Sequence, residues 1–176
     1  MAVRACDALD GVLDGIVTEI DACEFDAFDL IGTHIPCGEE TVLLSESSAI
    51  IASAAWHGSF SSDGVNLWPG VDVVSNLTSS WSSQCSSNGR CNGLPIQLSS
   101  DCIRLAVKKN PGFDLNSVSH DDFVQIFQDS VNEYKSIIGT DNSNLTGFRR
   151  RGGKMLTFHG FVVGSASRRG VGYYHH

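Results

Sequence analysis

The sequence predicts one helical, loop-rich domain held together by disulfides. Three observations predict it. Capped helix patterns lie at 46–56 and 121–138, the stretch from Ser59 to Gly93 is rich in Ser, Gly and Asn, and the 176 residues carry six cysteines. A chain of this length suits a single domain and can bury a core. The formal net charge of −8 argues against nucleic acid or an anionic membrane surface as a partner. No apolar run approaches the length of a membrane span.

The most informative stretch is Cys6-Asp7-Ala8-Leu9-Asp10-Gly11-Val12-Leu13-Asp14-Gly15-Ile16, followed by Cys23. Three aspartates stand at spacings of three and four, and no Lys or Arg lies between Cys6 and Cys23. Carboxylates this close repel unless a cation or a basic group neutralises them. Oxygen-only ligands favour a hard divalent cation, calcium above others. Gly11 and Gly15 permit sharp turns that let the Val12 and Ile16 carbonyls point inward. The alternating acids and distal Glu of an EF-hand are absent. The competing reading is a helical turn with a solvated acidic edge, since Asp-Gly pairs are ordinary turn formers.

Ser45 is the expected N-cap of a helix from Glu46 to Trp56, with Ile50, Ile51, Ala54 and Ala55 as its apolar face and Gly58 as its end. Asp63-Gly64 and Trp68-Pro69-Gly70 are turn signals. Ser99 or Ser100 is expected to cap a short helix through Lys109, stopped by Pro111. The clearest helix runs from Asp121 to Ile138, with Ser119 and Asp122 as a capping box. Phe123, Ile126, Phe127, Val131, Tyr134 and Ile138 share one face, and Gly139 is its C-cap. Arg149, Arg150 and Arg151 read as a solvated cationic helix end. His34 and Cys37 lack a second pair at zinc spacing and read as structural.

The cysteines and two glycosylation sequons, Asn76-Leu77-Thr78 and Asn144-Leu145-Thr146, suggest an oxidising, secreted setting. Met1 to Ala5 has no apolar h-region, so no signal peptide is visible. The expectation is an internal piece of a longer secreted protein whose Met1 is not the true start.

The acidic loop with Cys23-Glu24-Phe25-Asp26, and above all Gly152-Gly153-Lys154-Met155-Leu156-Thr157-Phe158-His159-Gly160, resemble the fungal tannase and feruloyl esterase family. That resemblance implies the α/β class, as a fragment of an α/β-hydrolase. Residues 1–140 would be a lid domain with a structural calcium loop, and 141–176 a partial return into the core through a strand at about 154–158. It implies Asp7, Asp10 and Asp14 as side-chain calcium ligands and Val12 and Ile16 as carbonyl ligands. It implies a Cys6–Cys23 disulfide, which closes a loop of about 17 residues and contributes about 3 kcal/mol. Cys85 and Cys91 would form a second, small disulfide loop. Cys102 would be a buried thiol or the partner of Cys37. Trp56 and Trp68 would be lid core or line an aromatic pocket.

The implied activity is serine-type hydrolysis of phenolic esters such as gallates or ferulates, in an extracellular enzyme. The triad it needs is not found within the chain. Ser86 follows Cys85, as the family's nucleophile follows a Cys, but no apolar strand precedes it and the glycines of a nucleophile elbow are missing. Val163 stands where the family carries its catalytic acid, and valine cannot orient a histidine. His159 belongs to the strand-end signature, and His175 and His176 have no assigned role. No catalytic residue is therefore expected here, and the chain alone should be inactive. The alternative is a stand-alone calcium-binding or interaction module derived from a lid. Tannase and feruloyl esterase are not distinguished by these residues.

Overall fold

The computed structural model describes residues 1–37, 39–79, 82–85, 91–139, 142, 144–156, 158 and 160. They fall into two compact units, one built on Met1–Ser59 and Pro69–Ser82, the other on Phe60–Trp68 and Ser83–His159. Helices and turns dominate both, and the strands form three two-stranded sheets among the described residues.

In the first unit α1 (Ala2–Cys6) runs straight into a 3-10 turn at Asp7–Asp10. Cys6, Val17, Ile20 and Val74 form its buried cluster, with Val3, Phe25 and Val73 packed against it. Cys6 and Cys23 are disulfide-bonded. β1 (His34–Cys37) pairs antiparallel with β2 (Glu40–Leu43), His34 opposite Leu43.

Helix α2 (Glu46–His57) starts where expected: the Ser45 side chain accepts a hydrogen bond from the Ser48 N–H. It stops at Gly58, whose φ of 84° excludes most other residues. Its buried face matches the expected one at Ala55 and differs elsewhere. Ala49 and Ala55 are buried, while Ile50 and Ala54 are exposed. The reason is close backbone approach. The Val71 N–H donates to the Ala55 carbonyl at 3.0 Å. A Cβ on Gly70 would collide with the backbone of Ala55 and Trp56. Only small residues fit such a face. Trp56 packs edge-on against Phe25, with ring centroids 5.8 Å apart, whereas Trp68 is exposed.

β3 (Gly58–Phe60) and β4 (Asn66–Pro69) flank the expected Asp63-Gly64 turn. The Ser61 N–H donates to the Val65 carbonyl at 2.8 Å, and the Gly64 N–H donates to the Ser61 carbonyl at 2.9 Å. The Ser61 hydroxyl donates to the Asp63 carboxylate and holds its pKa below the usual value.

In the second unit β5 (Ser82–Cys85) pairs with β6 (Cys91–Leu94). Helix α3 (Gln97–Asp101) continues as a wider π-turn over Cys102–Val107. It begins earlier than expected, and neither Ser99 nor Ser100 caps it. Ser100 is buried, and its hydroxyl donates back to the Ile96 carbonyl at 3.0 Å. Cys102 is a free, exposed thiol, not a buried one.

Helix α4 (His120–Ile138) carries the full capping box. The Asp122 N–H donates to Ser119 Oγ at 3.2 Å and the Ser119 N–H to Asp122 Oδ2 at 3.1 Å. The Ser119 hydroxyl, which donates to Asp122 Oδ2 at 2.6 Å, and then the Ser119 N–H hold the Asp122 pKa below its usual value. Ile126 is 2% exposed and anchors the apolar face. The Tyr134 hydroxyl donates to the Ala106 carbonyl at 3.1 Å, and Lys109 pairs with Glu133 at 2.6 Å. Gly139 ends the helix in an extended conformation, not a left-handed one. α5 (Thr146–Arg150) follows, with Arg149 and Arg150 in its exposed last turn as expected.

The strand expected at 154–158 is not formed among the described residues. Leu156 is 93% and Phe158 96% exposed. A strand needs a neighbour for its ladder, and no described strand lies beside this one.

Two substitutions check this packing by urea unfolding of the chain. Gly70→Ala should cost more than about 2 kcal/mol, because rigid backbone must give way. Ser119→Ala should cost about 1 kcal/mol through loss of the cap. An unchanged midpoint for Gly70→Ala would show that α2 and the Gly70 turn are not in contact.

Candidate functional site

The acidic loop is built by turns. The 3-10 turn at Asp7–Asp10 ends at Gly11, φ 86°, and a second left-handed residue follows at Gly15, φ 82°. These reversals bring backbone N–H groups onto the carboxylates. Asp7 Oδ1 accepts from the Gly15 N–H at 2.8 Å. Asp10 accepts from Val12 N–H at 3.0 Å on Oδ1 and from Thr18 N–H at 3.2 Å on Oδ2. Asp14 Oδ1 accepts from the Ile16 N–H at 2.9 Å. The Val12 N–H and then the Thr18 hydroxyl are the main reasons the Asp10 carboxyl titrates below its usual range. Sequence reasoning missed Thr18. Its one available signal was that it is the first hydroxyl residue after the acidic run.

All five expected calcium ligands thus lie on one short loop, closed by the Cys6–Cys23 disulfide. The Val12 and Ile16 side chains are exposed. The donor chemistry, oxygen only, suits calcium. Asp7 and Asp14 each keep one carboxylate oxygen without a hydrogen bond among the described residues. The acids do not converge, however: no three His, Cys, Asp or Glu side chains among the described residues come together closely enough to hold a metal ion.

Other expected positions are placed less fully. Cys85 and Cys91 lie on the paired strands β5 and β6, but their side chains, and Ser86, lie outside the described residues. His159, Val163, His175, His176 and the Cys37 side chain do so too. No described helix is long and apolar enough to cross a membrane. In the second unit a cavity of about 360 Å³ opens between α3 with its π-turn and α4, lined by Leu98, Cys102, Ile103, Phe123, Ile126 and Phe127.

The chain belongs to the tannase and feruloyl esterase family, whose model matches residues 1–176. It is 34% identical over 160 residues to a probable feruloyl esterase of Arthroderma benhamiae, covering 91% of this chain and 30% of that protein. It is 28% identical over 159 residues to probable feruloyl esterase B-2 of Aspergillus fumigatus, 90% of this chain and 28% of that one. Its fold is similar to that of tannin acyl hydrolase from Aspergillus niger, with a TM-score of 0.85 and 26% identity over 98% of this chain and 33% of that one. Feruloyl esterase B from Aspergillus oryzae shares the fold, with a TM-score of 0.75 at 22% identity over 99% of this chain and 32% of that one. The chain spans about a third or less of the length of these relatives.

The Asp10 geometry predicts an acid limb. Its folded pKa is lowered, so its contribution to stability is complete above the ordinary aspartate range. That contribution is lost as pH falls below about 4. Asp10→Asn should flatten the fall in melting temperature measured from pH 5 to pH 2. An acid limb identical to that of the parent chain would remove Asp10 from the account.

Proposed function

We infer that this chain is the lid portion of a secreted carboxylic ester hydrolase. The complete enzyme acts on phenolic esters of the gallate or ferulate kind, through an acyl-enzyme formed on a serine. The observation that carries this reading is the family match across residues 1–176, together with the fold shared with tannin acyl hydrolase over 98% of the chain. Both favour an enzyme part over a stand-alone calcium-binding module.

The chemistry needs a nucleophile, a histidine and an acid that orients the histidine. The 176 residues hold no Gly-x-Ser-x-Gly, and the family resemblance sets Val163 at the position where an acid would be expected. The lid's part is then to shape and close the substrate side, not to make or break the ester bond. The Cys6–Cys23 bond fits an oxidising, extracellular destination.

Calcium is the proposed structural ion of the acidic loop. Asp7, Asp10 and Asp14 would supply carboxylates and Val12 and Ile16 carbonyls. Bound there, its two positive charges would offset most of the repulsion among the three carboxylates and hold the loop ends together. This reading requires the carboxylates to draw inward, and each now faces a backbone N–H of the same loop.

Two measurements check these statements. The purified chain should give no saturable hydrolysis of methyl ferulate or methyl gallate; saturable kinetics would overturn the assignment of catalysis to other parts of the enzyme. Calcium at a hundredfold excess over Kd should raise stability by about 2.7 kcal/mol, reversed by chelator. Asp7→Asn should abolish that gain, and a melting temperature indifferent to calcium in the parent chain would exclude the ion.

A further inference from the structure

We propose that Asn76 carries an N-linked oligosaccharide. Asn76-Leu77-Thr78 satisfies the acceptor sequon, with leucine at the middle position. In the structure it is an exposed turn directly after the buried residues Val74 and Ser75. The Asn76 side chain is already in a fixed pose. Its Oδ1 accepts from the Thr78 N–H at 2.9 Å and from the Thr78 hydroxyl at 2.7 Å. Its Nδ2, the atom that is glycosylated, has no hydrogen-bond partner among the described residues. The sequon threonine thus engages the amide oxygen and leaves the nitrogen open.

The second, independent observation is the Cys6–Cys23 disulfide in the same unit. Such bonds form in the compartments where N-glycosylation takes place. The donor is an oligosaccharide linked to a lipid pyrophosphate, used by a membrane-bound transferase. The Asn76 Nδ2 forms a bond to the sugar's anomeric carbon as the bond from that carbon to the phosphate oxygen breaks. The amide loses one proton to solvent, the lipid pyrophosphate leaves, and nothing is oxidised or reduced. Asn144 has only the backbone half of the same turn, with the Thr146 N–H at 3.2 Å, and forms no part of the proposal. The proposal rests on passage through the secretory route and not on ester hydrolysis, so the methyl ferulate assay leaves it untouched.

The test is to secrete the chain from a eukaryotic host behind a cleavable leader and to confirm the Cys6–Cys23 bond by peptide mapping. The product is then treated with peptide-N-glycosidase in heavy-oxygen water. The expected result is conversion of Asn76 to labelled aspartate in most molecules. Thr78→Ala should abolish the label, and Thr78→Ser should retain it. If Asn76→Gln is not secreted, the parent chain and this threonine pair still decide the matter. An unmodified Asn76 peptide as the main species in disulfide-intact, secreted protein would overturn the proposal.

Discussion

Three carboxylates within eight residues are the constraint on which the first unit depends. Left in water they would repel and extend the chain. Held here, each meets an N–H of its own loop, and that is possible only because Gly11 and Gly15 reverse the backbone at positive φ. The loop's far end is tied by Cys23 to Cys6, whose side chain sits in the buried cluster with Val17, Ile20 and Val74. Charge, turn and core are therefore one system. A change at Gly15 would swing the Asp7 partner away, and a break at Cys23 would release the segment carrying Val17 and Ile20.

The second unit solves a different problem, that of a long helix with one apolar face. Burial of Ile126 supplies the hydrophobic drive. The Ser119–Asp122 box satisfies N–H groups that a helix start leaves orphaned. The π-turn at Cys102–Val107 is wider than an α-turn, and its Lys108 N–H reaches back to the Ile103 carbonyl. Tyr134 and Glu133 on α4 then reach Ala106 and Lys109. Long side chains thus bridge a spacing that direct helix packing has left open, and the apolar cavity lies in that space.

What could be read from the residues was local chemistry. The caps at Ser45 and Ser119, the Gly58 stop and the Asp63-Gly64 turn each depend on a few neighbouring atoms, so spacing sufficed. The buried face of α2 did not follow from hydrophobicity, because the approach of Gly70 selects small residues over large ones there. The exposure of Cys102 was missed for a related reason: residue type says little about which side of a π-turn faces out. The Cys6–Cys23 pairing came through resemblance and is present. The convergence of Asp7, Asp10 and Asp14 did not emerge. The spacing of acids specifies that they share a loop, whereas the orientation of each carboxylate is decided by the N–H groups nearest to it.

The segment after α5 shows where local reading must fail in principle. Met155, Leu156 and Phe158 have the composition of a strand, yet their side chains lie in solvent. A strand is not a property of its own residues, since its N–H and C=O groups are satisfied only by a neighbour. Exposed apolar side chains at such a density are costly unless something covers them. The relatives are about three times longer than this chain, and in the lid reading their remaining length is the natural source of that neighbour. The helices and the acidic loop find their partners, near and far in sequence, among the described residues and are formed here; the strand expected at 154–158 finds no neighbour among them and is not formed.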